Sequence, residues 1–346
     1  MKLTKIIIFL FVGFTSCRQD SQESKNIESY YQNGELEKTI SNGKNFLSKD
    51  STNLIVNHLV GRALTDKKKF DKAKKYLSNS ITSESPKWMN SWSYGYLGTC
   101  NYMTDNFEAA KKNLTKAIEL NATVNSTKFA KKRLKWFQMG QYFDEWEKIE
   151  TSNIRFHFQP NHGIEDLKEY CRLRQRAYKT NNKFFKASPY KKIDFYVWSK
   201  PKEGEKIMGK PIGFANSDLC IINSRIEQTK GHEITHILSD HGITPKRKNR
   251  LINEGVAVAF DLTNRNRIKM AKSANTENLG IKELMENVKD YPESIVYPIG
   301  GALIEYLRNE GNEKGLKSLI QNQSWENLIE IYGEEKIEEF EEKIMN

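Results

Sequence analysis

The stretch GHEITHILSD, residues 231–240, sets His232 and His236 four positions apart, with Glu233 directly after the first histidine. On an α-helix, residues four apart share a face, so both imidazoles can turn toward one ion. Glu233 stands one residue round the helix, near enough to reach water on that ion without ligating it. A catalytic zinc takes three protein ligands and keeps one position open, where water becomes acidic near neutral pH. The chain must therefore supply a third ligand. His241 follows His236 by only five positions, and Gly242 stands where an extended H-E-x-x-H-x-x-G-x-x-H motif needs its histidine, so that version is absent. Further on, RLINEGVAVAF places Glu254 among apolar residues of helical spacing, eighteen positions after His236. A carboxylate is costly in so apolar a helix unless something pairs it, and a divalent cation would do so. Asn253, beside it, can orient a ligand.

These residues need elements to hold them. After Glu150, NIRFHFQ alternates like a strand, IEDLKEYCRLRQRAYKTNNKFF has helical spacing, and KKIDFYVW predicts another strand. GFANSDLCIINS predicts a third strand or a hairpin. Ser224 and Glu227 fit an S-x-x-E capping box, which predicts a helix that starts there, carries both histidines and stops at Gly242, with Pro245 beyond. The loop GITPKRKNR is long enough to fold the Glu254 helix back against the histidine helix.

This constellation resembles the glutamate-zincin metallopeptidases, the thermolysin- and aminopeptidase-like superfamily, over about residues 151–330 and most closely between 213 and 310. The NEG run at 253–255 is similar to that of its exported, compact bacterial members. The resemblance implies an α+β, zincin-like domain at 151–346, with a small mixed sheet and active-site helices. It implies one zinc ion per chain, held by His232, His236 and Glu254. Glu233 is then the general base, taking the proton of the attacking water and passing it to the leaving amine. Members of the superfamily also place a Tyr or His near the oxyanion. Tyr297, just before a Gly-containing helix in YPIGGALIEYL, matches that role, whereas Tyr306 reads as core. The aminopeptidase branch marks its amine pocket with G-x-M-E-N. GFAN at 213–216 lacks the glutamate and lies too close to His232, so the expected activity is that of an endopeptidase on a peptide or protein substrate. The contrasting expectation is a catalytically silent, peptidase-like binding scaffold.

The first third of the chain repeats itself. Phe70, Ala73, Leu77 and Ile81 recur 37 positions on as Phe107, Ala110, Leu114 and Ile118. Leu36, Thr39 and Leu47 match one repeat earlier, with Gly43 a poor fit. A period in this range predicts stacked helical hairpins over 26–150, because one hairpin cannot bury its apolar face alone. The pattern resembles tetratricopeptide repeats, with Leu97-Gly98 at the tight helix crossing, and implies a surface for a protein partner. FAKKRLKWFQMGQYFDEWEKI is expected to form the helix that closes the stack.

The N-terminus has the layout of an export signal: Lys2 and Lys5, an apolar run from Ile6 to Phe14, then FTSC. That ending resembles the lipobox of bacterial lipoproteins, which implies a lipoprotein signal over 1–17 whose cysteine, Cys17, is lipidated and becomes the new N-terminus, a polar tether over 18–25, and a lipid-anchored protein of the cell envelope. The other cysteines, Cys100, Cys171 and Cys220, are odd in number and far apart, so no disulfide framework is expected. At 38% hydrophobic and 29% charged residues the chain reads as soluble and globular. Its net charge of +11 is spread as KK pairs along helical stretches without interleaved aromatics. That favours solvated faces or headgroup attraction and argues against a nucleic-acid partner. His58 and His157 read as packed imidazoles, His162 as a turn residue, and His241 as lying at a cleft rim at most.

Overall fold

The structure, a computed structural model, describes residues 16–345, with side chains from residue 22 onward. Residues 1–15 of the expected leader at 1–17, and the side chain of Cys17, lie outside the described residues. The chain is α+β and divides into two compact units between Gly140 and Gln141.

The first unit is an array of paired helices: α1 (Ser16–Gln32) with α2 (Leu36–Lys49), α3 (Leu54–Asp66) with α4 (Phe70–Asn79), α5 (Lys87–Met103) with α6 (Phe107–Leu120), and a last helix, α7 (Val124–Trp136). Residues 18–25, expected as a tether, lie within α1. Two of the repeated positions are buried in both copies: Ala73 and Leu77 in α4, and Ala110 and Leu114 in α6. Gly61 and Gly98, also 37 apart, mark the tight crossings. A Cβ on either would stand 2.7 Å from a leucine Cγ, Leu77 in one pair and Leu114 in the next. Gly43, which fits the repeat poorly in sequence, lets α2 of the first pair approach α3 of the second, where a Cβ would overlap Val60.

The closing helix is shorter than its sequence suggests. α7 ends at Trp136, because Phe137 stacks on Tyr102 with ring centres 3.8 Å apart and Gln138 turns left-handed at φ 53°. Tyr142, Phe143 and Trp146 instead fold into the second unit, where all three rings pack within 6.2 Å of Trp198.

His58 is a packed imidazole of this array. Its Nδ1 lies 2.7 Å from Ser93 Oγ, and Trp88 meets its ring edge-on. Burial, aided by the charge of Arg62, lowers its pKa to about 3. The unfolded chain takes up that proton near pH 6.5 and the folded chain does not, so stability is full above pH 6.5 and falls as pH drops toward 3. About 2 kcal/mol should be lost by pH 5. Urea unfolding at pH 7 and pH 5 is expected to show that loss, and His58→Gln to remove most of it. An unchanged pH slope in the variant would assign the effect to other groups.

The second unit is built on a five-stranded mixed sheet of order β1-β2-β3-β5-β4. β1 (Glu147–Glu150) runs antiparallel to β2 (Ile154–Phe158), β2 and β3 (Ile193–Trp198) are parallel through the crossover helix α8 (Leu167–Phe185), and β3 is parallel to β5 (Ile221–Arg225). β4 (Phe214–Asn216) pairs antiparallel with β5 as the far edge, after the short α9 (Pro201–Met208). β1 therefore belongs to this sheet although it precedes residue 151. One sheet face carries Phe156, Phe158, Phe195, Val197 and Ile222 into a core shared with α8 and with α10 (His232–Gly242). The other face carries a buried charge cluster, in which Asp194 accepts from Lys191 at 2.6 Å, His157 at 2.9 Å and Arg155 at 3.1 Å. Cys100, Cys171 and Cys220 are free and buried, as expected.

After the sheet come α11 (Arg250–Ala259), α12 (Arg267–Ala274), α13 (Ile281–Glu286), α14 (Glu293–Asn309), α15 (Glu313–Gln321), α16 (Trp325–Tyr332) and α17 (Glu334–Ile344). They bury the rear of α10 and α11 with Leu251, Ile252, Val256, Ile299, Leu303 and Leu319.

Candidate metal centre

The histidine helix starts later than the capping box predicts. Ser224 lies in β5, opposite Val197 of β3, and α10 begins at His232 with Gly231 as its cap. Tertiary contacts fix that start. Gly231 N–H donates to Asp261 O, and a Cβ on Gly231 would stand 2.5 Å from Phe260 O. Asn181 of α8 donates to both Thr235 Oγ1 and Phe260 O, tying the front of α10 to the end of α11. The helix stops at Gly242, as the sequence suggests.

α11 is aligned from its other end. Asn249 accepts from Leu251 N as the cap, while its own backbone N–H donates to Gln323 Oε1 and its amide to Met285 O. The loop between the helices returns α11 against α10, which brings Glu254 to the two histidines.

The Nε2 atoms of His232 and His236 lie 3.3 and 3.4 Å from Glu254 Oε2, and the three donor atoms all fall within 4.8 Å of one another. These separations exceed those of a charge-assisted hydrogen bond, ~2.7–2.9 Å. They match two ligands each ~2.0–2.1 Å from a shared tetrahedral centre, which stand ~3.3–3.4 Å apart. This half-buried donor set of two imidazoles and one carboxylate could bind a metal ion. The electrostatics agree. Burial alone would raise the Glu254 pKa, but the imidazoles of His232 and His236 beside its carboxylate hold it well below the usual carboxylate range. Burial alone would lower the His236 pKa, but Glu254, Glu233 and Asp240 raise it.

The neighbours predicted from sequence also converge. Asn253 Nδ2 stands 3.4 Å from His236 Nδ1 and 3.4 Å from Glu254 Oε1. An amide can be turned about its axis to accept where it now donates. Glu233 is buried beside His232. Tyr297 stacks on the His232 ring at 5.8 Å with planes 24° apart. It lies inside α14, in the second turn, rather than ahead of the helix, because α14 begins at Glu293 and tolerates Pro298 within it. Burial and the charge of Glu254 push its phenol well above the ordinary tyrosine value, so it stays a proton donor at neutral pH. Tyr306 points elsewhere, donating to Glu339 and packing on Phe340.

Sequence reasoning missed Gln228. Its amide donates to Glu233 Oε1 at 2.5 Å, fixing that carboxylate. The only signal for it was a glutamine five residues before Glu233, in a segment the capping box had claimed for helix. The other histidines stand apart from the centre. His157 pairs with Asp194, His162 Nδ1 accepts from Ile164 N in a turn, and His241 is 2.8 Å from Ser217 O beside a separate cavity of about 570 Å³. The chain matches no protein-family model and no curated protein.

Proposed function

We propose that this chain is a zinc-dependent peptidase of the glutamate-zincin kind, an endopeptidase exported to the cell envelope and anchored there by a lipid on Cys17. Its helical array, similar to tetratricopeptide repeats, serves as the binding arm. The observation that carries this reading is the convergence of His232, His236 and Glu254 on one point, with Tyr297 stacked on His232 and the charge of Glu233 acting on His236. Zinc at that point supplies Lewis acidity toward water and toward a substrate carbonyl. The protein's own groups do the rest. Glu233, oriented by Gln228, takes a proton from the attacking water and hands it to the leaving amine. The neutral Tyr297 phenol donates a hydrogen bond to the developing oxyanion. With its amide turned, Asn253 Oδ1 would accept from His236 Nδ1–H and leave Nε2 free to ligate.

The first test is metal content. The chain is expected to hold about one zinc per molecule, with His232→Ala and Glu254→Ala each weakening binding at least a hundredfold while the fold is retained by circular dichroism. Wild-type protein that stays zinc-free after reconstitution would sink the reading and leave a binding scaffold in its place.

A further inference from the structure

The chain's positive charge belongs to one unit. Residues 22–140 carry 20 Lys and Arg against 11 Asp and Glu, a net of +9, whereas residues 141–346 carry 32 of each sign. Within the first unit the excess is sharpest on α7, whose 13 residues include five basic side chains and no acidic one. Lys128, Lys131, Lys132 and Lys135 follow the i, i+3, i+4, i+7 spacing of a single helix face, and all four are exposed. None of them forms an ion pair among the described residues. Val124, one turn ahead on the same stripe, is 68% exposed. The opposite face holds the helix in place. Ser126 and Ala130 are buried, and Phe129 stacks on Tyr96 at 5.1 Å and meets Trp92 at a tilt at 5.3 Å.

Solvated helix faces normally mix signs, because like charges three or four residues apart repel. This face pairs Lys128 with Lys132 and Lys131 with Lys135 at that spacing, with nothing acidic on the helix to offset them. Such a stripe is relieved by a surface of dense negative charge. We propose that α7 docks the helical array on an anionic phospholipid surface through Lys128, Lys131, Lys132 and Lys135. Lysine ammoniums act as point charges toward a diffuse field of headgroups, and the stripe offers neither the arginine forks nor the exposed rings with which proteins read nucleic acid. Val124 adds an apolar contact at the stripe's end. If Cys17 carries lipid, the anchor enters at α1, the first helix of this same array. A lipid chain plus a basic patch is the pairing that makes membrane attachment firm.

The test is independent of the metal centre and uses the full chain carrying Cys17→Ala, so that no lipid is attached. Co-sedimentation is measured with vesicles of phosphatidylcholine alone and of phosphatidylcholine mixed with phosphatidylglycerol. The leader, whose Lys2 and Lys5 would also favour anionic vesicles, is common to the parent and its lysine variants and cancels in the comparison between them. Binding is expected to favour the anionic vesicles and to weaken as NaCl rises. Replacing all four lysines with Gln should lower partitioning into anionic vesicles by about tenfold or more, and replacing all four with Arg should preserve it. The side chains are exposed, so both variants are expected to melt like the parent. No preference for anionic vesicles, or equal binding by the Gln variant, would overturn the proposal. So would a Gln variant that loses binding to duplex DNA but not to vesicles.

Discussion

Glu233→Gln is expected to lower peptide hydrolysis about a thousandfold or more while leaving the bound zinc in place. The argument rests on where the carboxylate sits. Glu233 follows a donor residue along α10 but is not one of the three converging groups, and one of its oxygens is already held at 2.5 Å by Gln228. An amide of the same size keeps that neighbour but has no basic oxygen, so the proton of the attacking water has nowhere to go. Glu254→Gln should behave differently. It replaces the anionic member of the donor set, and zinc and activity should fall together. The two variants therefore separate holding the metal from moving the proton. The measurement is zinc content by elemental analysis beside hydrolysis of a mixed peptide library, all three proteins at matched concentration. A zinc-loaded Glu233→Gln protein that cleaves at the wild-type rate would remove Glu233 from the chemistry.

The centre was legible in sequence where local spacing determines geometry. Two histidines four apart need only a helix to face one point, and a glutamate in an otherwise apolar helix needs a partner wherever that helix lies. The repeats were legible for the same reason, since Ala73, Leu77 and their counterparts at 110 and 114 are buried through contacts that recur 37 residues on. What escaped was set by contacts distant in sequence. The S-x-x-E pattern at Ser224 is a good local cap, yet pairing with Val197 on β3 draws Ser224 into a strand, and the helix waits for Gly231 to reach Asp261. α7 has helical spacing beyond Trp136, but the stack of Phe137 on Tyr102 ends it, and the aromatic residues that follow find Trp198 instead. Gln228 becomes meaningful only once the turn after β5 has placed it over Glu233.

The largest structural effect is expected where the backbones of α11 and α14 meet. A Cβ on Gly255 would overlap the carbonyl oxygen of Gly300 and stand 3.0 Å from its Cα, and a Cβ on Gly300 would overlap Leu251 O and stand 3.2 Å from Gly255 Cα. The two backbones touch directly, and neither side can yield as a flexible side chain would. Glu254 is the residue before Gly255, and Tyr297 is three before Gly300. This contact therefore sets how deeply the third donor and the phenol reach toward the histidines. Gly300→Val must push α14 away from α11, which overpacks the core at a cost of about 3 kcal/mol or more. A displacement of even ~1 Å between the helices is enough to spoil a ligand set. The expected result is a clear fall in the urea midpoint together with weakened zinc binding. Gly140→Ala, where a Cβ would meet nothing within 4 Å, should stay within about 0.5 kcal/mol of the parent. Should Gly300→Val unfold at the parental midpoint and bind zinc as tightly, the close approach of α11 and α14 would not be what positions Glu254. The source of that alignment would then have to be sought at the other end of α11, in the Asn249 contacts with Gln323 and Met285.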